Sequence, residues 1–155
     1  YCGYCYLGFL QTNAEMGRIV GIDFGEKRTG VAATDPLRII ANGIDTIPTE
    51  KIYDFLQQYV AKEKVDLFVV GMPKTLQSEL AVVATKVNTF IEKLQQLFPT
   101  IPIETIDERF TSVLAQRAMI DGGLKKKARQ NKALIDKISA TIILQSYLEQ
   151  NKFNL

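Results

Sequence analysis

Apolar positions change their period several times along this chain. Ile19, Val20 and Ile22 fill both alternating sides of a short run that ends at Asp23, as in a central strand covered on both faces. The pattern predicts this first strand over residues 18–24, a second over 29–34 closed by the turn signal Asp35-Pro36, and a third over 39–47 stopped by Pro48. Their short links predict an antiparallel meander. Spacing then becomes helical. Thr49 is the expected N-cap of a helix whose apolar positions are Ile52, Phe55, Leu56, Tyr59 and Val60. A buried run over 66–71 predicts a fourth strand. A helix over 78–98 carries Leu80, Val83, Val87, Ile91, Leu94 and Leu97 on its inner face, and 103–107 predicts a fifth strand. A short helix capped at Thr111 or Ser112 ends at Gly122-Gly123, and a last helix covers 133–150. A meander followed by strand–helix–strand crossovers predicts an α/β domain with a five-stranded mixed sheet flanked by helices. That order matches the ribonuclease H-like architecture.

Length adds one constraint: 155 residues suit a single domain. Residues 1–15 differ from the rest, with no charge before Glu15 and no amphipathic period. They read as a non-native or disordered leader, Met16 as the natural start, and 16–155 as the domain. Both cysteines, Cys2 and Cys5, fall in that leader. One Cys-x-x-Cys pair with no histidine anywhere cannot complete a tetrahedral zinc site. The cysteine-free remainder suits a reducing cytoplasm, and no apolar run is long enough to predict a membrane span. A net charge of +2 identifies no partner.

The absence of histidine removes serine–histidine and cysteine–histidine catalysis. Acid–base chemistry then falls to carboxylates, lysine, tyrosine or an ion-activated water. Asp23 ends the first strand, where a carboxylate is costly unless something cationic meets it. Asp107 and Glu108 end the fifth strand. Asp136 shares a helical face with Ala140, Ile143 and Tyr147. Each acid has a local alternative: Asp23 bonding the turn at Gly25, Glu108 pairing with Arg109, Asp136 bonding Lys132. Together they suggest convergence, with mutual repulsion relieved by a divalent cation. Oxygen-only donors favour Mg2+ or Mn2+ over zinc. Without metal, removing Asp136 is then expected to relieve repulsion and raise thermal stability.

The segments Asp23-Phe24-Gly25-Glu26-Lys27-Arg28-Thr29-Gly30-Val31-Ala32, Val70-Gly71-Met72-Pro73, Asp107-Glu108-Arg109-Phe110-Thr111 and Asp136-Lys137-Ile138-Ser139-Ala140 resemble the YqgF family in order and spacing from Met16 to the C-terminus. Members are described as Holliday junction resolvases and as nucleases maturing the 5′ end of pre-16S ribosomal RNA. The resemblance implies a ribonuclease H-like fold and a metal-dependent nuclease site. Asp23 looks like its strand-one acid, Asp136 its last-helix acid and Glu108 its middle acid, with Asp107 the alternative. Alternation puts Glu104, Ile106 and Glu108 on one face and Asp107 on the other, without saying which face meets Asp23. One departure is that Lys74-Thr75-Leu76-Gln77-Ser78-Glu79 lacks the glycine that the family often has after its Gly-x-Pro element.

Lys125, Lys126, Lys127, Arg129 and Lys132 cluster before the helix bearing Asp136, as suits a polyanionic substrate. Lys27, Arg28 and Lys74 are placed to add contacts, and the fork of Arg109 suits a carboxylate or a phosphate. The expected function is a metal-dependent endonuclease acting on structured precursor ribosomal RNA, alternatively on branched DNA as a junction resolvase. A non-catalytic nucleic-acid-binding module is a further alternative. Asp-x-Gly followed by Gly30 also resembles the first phosphate loop of actin-like ATPases, but the chain is too short for their second lobe. Monomer and homodimer both remain open.

Overall fold

The computed structural model describes residues 16–72, 78–107 and 131–152. Three antiparallel strands come first: β1 (Arg18–Asp23), β2 (Arg28–Thr34) and β3 (Ala41–Pro48). A 3-10 turn over Thr49–Lys51 leads into α1 (Ile52–Lys62). Then follow β4 (Val65–Met72), α2 (Ser78–Leu97), β5 (Ile103–Asp107) and α3 (Lys132–Lys152). The strand order is β3-β2-β1-β4-β5, with β4 parallel to both β1 and β5. This is the mixed sheet that the sequence predicts.

Both faces of the sheet are covered, which explains why β1 and β4 lack a polar side. Val20, Ile22, Phe68 and Val70 point to one face and meet Leu56 of α1 and Phe90 of α2. Ile19, Val69 and Ile106 point to the other and meet Ala140, Ile143 and Leu144 of α3. Phe90 is 2% exposed. Helical periodicity correctly points to Val87 and Ile91 on either side of it but passes over Phe90, because the buried stripe of α2 is broader than a simple repeat.

On the α3 face the sheet is built from small residues. A Cβ on Gly21 would stand 2.9 Å from Leu144 Cβ and 3.0 Å from the Ala140 carbonyl oxygen. A Cβ on Gly43 would lie 2.7 Å from Lys137 Cγ. With Ala32 and Ala41 on the same face, these glycines let α3 settle almost onto the strand backbones. Asn131 caps that helix, its Oδ1 accepting from the backbone N–H groups of Ala133 and Leu134 at 3.1 and 3.4 Å.

The β2–β3 link departs from the expected boundary. Strand β3 starts at Ala41 rather than Ile39, because the N–H groups of Ile39 and Ile40 donate to Asp35 Oδ1 at 2.8 and 2.9 Å. Those bonds hold the Asp35 carboxyl below its ordinary pKa, the Ile40 bond contributing most. Arg38 in this link has φ 57, a left-handed conformation unusual for a side-chain-bearing residue. Its guanidinium spans two anchors, Asp66 Oδ2 at 2.6 Å and the Gly17 carbonyl at 3.0 Å. Asp66 Oδ2 also accepts from the Gly17 N–H at 2.7 Å. This latch fixes the start of β1 against β4. Asp66→Ala is expected to lower stability by about 1–2 kcal/mol, since it leaves two donors without their acceptor. Arg38→Gly should cost less, because it relieves the left-handed backbone. Urea midpoints of the two variants compare them directly.

Candidate active site

Strands β1, β4 and β5 run parallel and end at one edge of the sheet. In open α/β sheets the carboxyl ends of the strands are where ligands bind. Asp23 is the last residue of β1 and stands opposite Gly30 of β2. Partners in an antiparallel pair project to the same face. Gly30 faces α3, where a Cβ would collide with the carbonyl oxygen of Asp136. Asp23 therefore projects to the α3 side, next to the strand position on which the Asp136 backbone rests. The backbones that carry two acids more than a hundred residues apart in sequence come together there.

Asp136 has a cationic neighbour. Arg28, at the start of β2, brings Nε to 3.5 Å from Asp136 Oδ2, with the two side chains 42% and 27% exposed. Lys132, the local alternative, opens α3, and its side chain lies outside the described ones. Lys27 is exposed just before β2, and its carbonyl accepts from the Thr49 N–H at 3.1 Å.

Strand β5 settles which face each of its residues takes. Ile106 packs in the core beneath α3. Asp107 pairs with Met72, which packs against the opposite core, so Asp107 falls on the α1–α2 side, away from the face shared by Asp23 and Asp136. Glu104 faces α3 and hydrogen-bonds the Tyr147 hydroxyl; burial first, then that bond, raises the phenol's pKa. Glu108, Lys74, Arg109, Lys125, Lys126, Lys127 and Arg129 lie outside the described residues. Among the described residues no group of three acids stands together to hold a metal ion. Among them, too, no helix is long and apolar enough to cross a membrane.

Thr49 acts differently from its expected role. The 3-10 turn that it opens has no side-chain cap. Instead Thr49 Oγ1 donates to the Gly25 carbonyl at 2.6 Å and lies 3.0 Å from Thr29 Oγ1. It ties the loop after Asp23 to the end of β3, a tertiary role that local sequence does not signal. Beside that loop, an open groove forms between Phe24, Glu26 and the helices α1 and α2. No periodicity points to it, because its residues come from four separate segments.

Comparison with known proteins identifies the family. The profile of the family RuvX, described as Holliday junction resolvase, matches residues 17–150. A protein of Phocaeicola vulgatus named "Putative pre-16S rRNA nuclease" is 56% identical over 138 residues, 89% of this chain and 99% of the relative. One of Bacteroides thetaiotaomicron with the same name is 53% identical over 138 residues, 89% of this chain and all of the relative. Among solved structures, Thermus thermophilus RuvC in complex with a Holliday junction substrate superposes with a TM-score of 0.53. It is 17% identical and covers 86% of this chain and 96% of its own. That likeness establishes the ribonuclease H-like fold. Matched along nearly all of its body, the chain belongs to the RuvX family, the one also called YqgF.

Proposed function

We propose that the chain is a divalent-metal-dependent endonuclease that hydrolyses phosphodiesters in the 5′-end maturation of pre-16S ribosomal RNA, in the cytoplasm. The observation that supports this reading is the placement of Asp23 opposite Gly30, on which the Asp136 backbone rests, at the carboxyl edge of the sheet. The names of the relatives supply the substrate.

The donor chemistry fits Mg2+ or Mn2+: hard carboxylate oxygens, in a chain that has no histidine. Asp23 and Asp136 are the ligands, with Glu108 as the third acid. The family resemblance assigns Glu108 that role. When bound, such an ion supplies Lewis acidity that polarises the phosphodiester and readies water for attack. Arg28 holds Asp136 in place and sets positive charge beside the phosphate. Lys27, Lys74, Arg109, Lys125, Lys126, Lys127, Arg129 and Lys132 extend that charge along the substrate backbone.

The family description favours a second reading, resolution of four-way DNA junctions. Incubating the protein with precursor ribosomal RNA and with a synthetic junction, side by side with Mg2+ or Mn2+, separates the two. Cleavage of neither with tight binding to either would leave a binding module. The basic cluster has its own test. Replacing Lys125, Lys126 and Lys127 by glutamine should flatten the salt dependence of binding, by about 0.7–0.9 in log–log slope for each phosphate no longer neutralised. An unchanged slope places the nucleic-acid surface elsewhere.

A further inference from the structure

We propose that the groove beside Asp23 is a guanine subsite, which takes a base of the same nucleic-acid strand whose phosphate is cut. The inference rests on the nuclease reading of Asp23. Asp23 and Phe24 are consecutive but leave β1 on opposite sides: Asp23 toward α3, Phe24 toward α2, with its ring centroid 4.8 Å from that of Phe90. A strand with a phosphate at Asp23 need only cross the end of β1 for a neighbouring base to reach the groove.

The groove has the parts that read a base turned out of its stack: an aromatic surface and a polar rim. Its volume is about 410 Å3, within the range of small-ligand sites. Phe24 and Tyr53 supply partly exposed rings, both backed by the buried Phe90. Lys93 Nζ sits 4.3 Å from the Tyr53 ring centroid and adds positive charge nearby.

The rim selects the base. Glu26 and Lys86 face each other across it, Lys86 Nζ donating to Glu26 Oε1 at 2.6 Å. That bond and the charge of Lys86 hold the Glu26 carboxyl below its ordinary pKa, so it is an ionised acceptor. Oε2 and the remaining ammonium hydrogens are still available to a ligand. Thr85 and Thr89 commit their hydroxyl hydrogens to the Ala81 and Thr85 carbonyls, leaving their oxygens as acceptors. The rim thus offers several acceptors next to one strong donor. Guanine presents the complement: two adjacent donors, N1–H and N2–H, beside the acceptor O6. Adenine and cytosine each present one donor group on that edge, and uracil one N–H between two acceptors.

The test is binding of UUGUU, UUAUU and UUCUU to metal-free protein, with GMP alone as a separate arm. We expect UUGUU to bind at least about fivefold more tightly than the other two, as a well-formed bidentate base contact allows. Amide NMR shifts should fall on residues 24–26, 53 and 85–90. Glu26→Gln, an exposed substitution that spares the core, should erase the preference, and Tyr53→Leu should weaken all three pentamers. Equal binding of the pentamers by wild type would overturn the proposal. So would shifts with GMP without discrimination among the pentamers, which would mean a free nucleotide rather than a strand. Because no metal or cleavage enters this measurement, its failure is distinct from failure of the nuclease reading, which the Asp23→Asn cleavage assay reports.

Discussion

Asp23→Asn should reduce cleavage of precursor ribosomal RNA at least about a hundredfold while leaving the protein folded. Asparagine keeps the shape of aspartate and its capacity for hydrogen bonds, so the Asp23–Gly30 register at the end of β1 survives. What disappears is a charge, and charge is what a hard divalent cation and an attacking water require of this position. Affinity for Mn2+, measured by calorimetry, should fall with the rate. Equal cleavage by wild type and variant would remove the assigned site. Circular dichroism of the variant checks that the fold is kept.

Asp136 also carries a structural contact, its ion pair with Arg28. From sequence alone, removing Asp136 was expected to relieve repulsion and raise stability. Its ion pair with Arg28 adds an attraction that sequence spacing did not reveal. Both side chains are partly exposed, so solvent screening keeps the pair below about 1 kcal/mol. Asp136→Asn is expected to weaken metal binding, and the loss of the Arg28 pair opposes any gain in metal-free melting temperature from relieved repulsion.

Arg28 illustrates where local reading stops. The strands were legible because burial on both faces writes itself into runs such as Leu67-Phe68-Val69-Val70. Asp23 was legible because a carboxylate ending such a run breaks the pattern. The face taken by Asp107 was not, since alternation fixes relative sides and only packing fixes absolute ones: Ile106 had to be seen beneath α3. The start of β3 was misplaced because Asp35 captures two amides by side-chain bonds, which hydrophobicity does not encode. Thr49 looked like a helix cap because threonine before a helical run usually is one. Here a carbonyl from another loop competes for its hydroxyl.

Gly30 lets the backbone of α3 come close to the sheet, and its substitution should have the larger effect on stability. Gly30→Ala should destabilise the protein by about 3 kcal/mol or more and abolish cleavage with it. The added methyl would occupy the position of the Asp136 carbonyl oxygen. That obstacle is helix backbone, which cannot turn aside as a flexible side chain can, so α3 as a whole must lift or the sheet must bend. Lifting α3 also opens the contacts of Ala140, Ile143 and Leu144 with Ile19 and Val69. It would pull the Thr46 hydroxyl from the Ala133 carbonyl it meets at 2.5 Å. Gly21→Ala is the graded control: its methyl would meet Leu144 Cβ at 2.9 Å and the Ala140 carbonyl at 3.0 Å. It lies farther from the acids, so it should cost less stability and spare more activity. Urea denaturation gives the stability order, and cleavage by the folded fraction of each variant gives the activity order. If Gly30→Ala keeps both wild-type stability and wild-type cleavage, α3 does not rest on β2 as described, and Asp136 is not held beside Asp23.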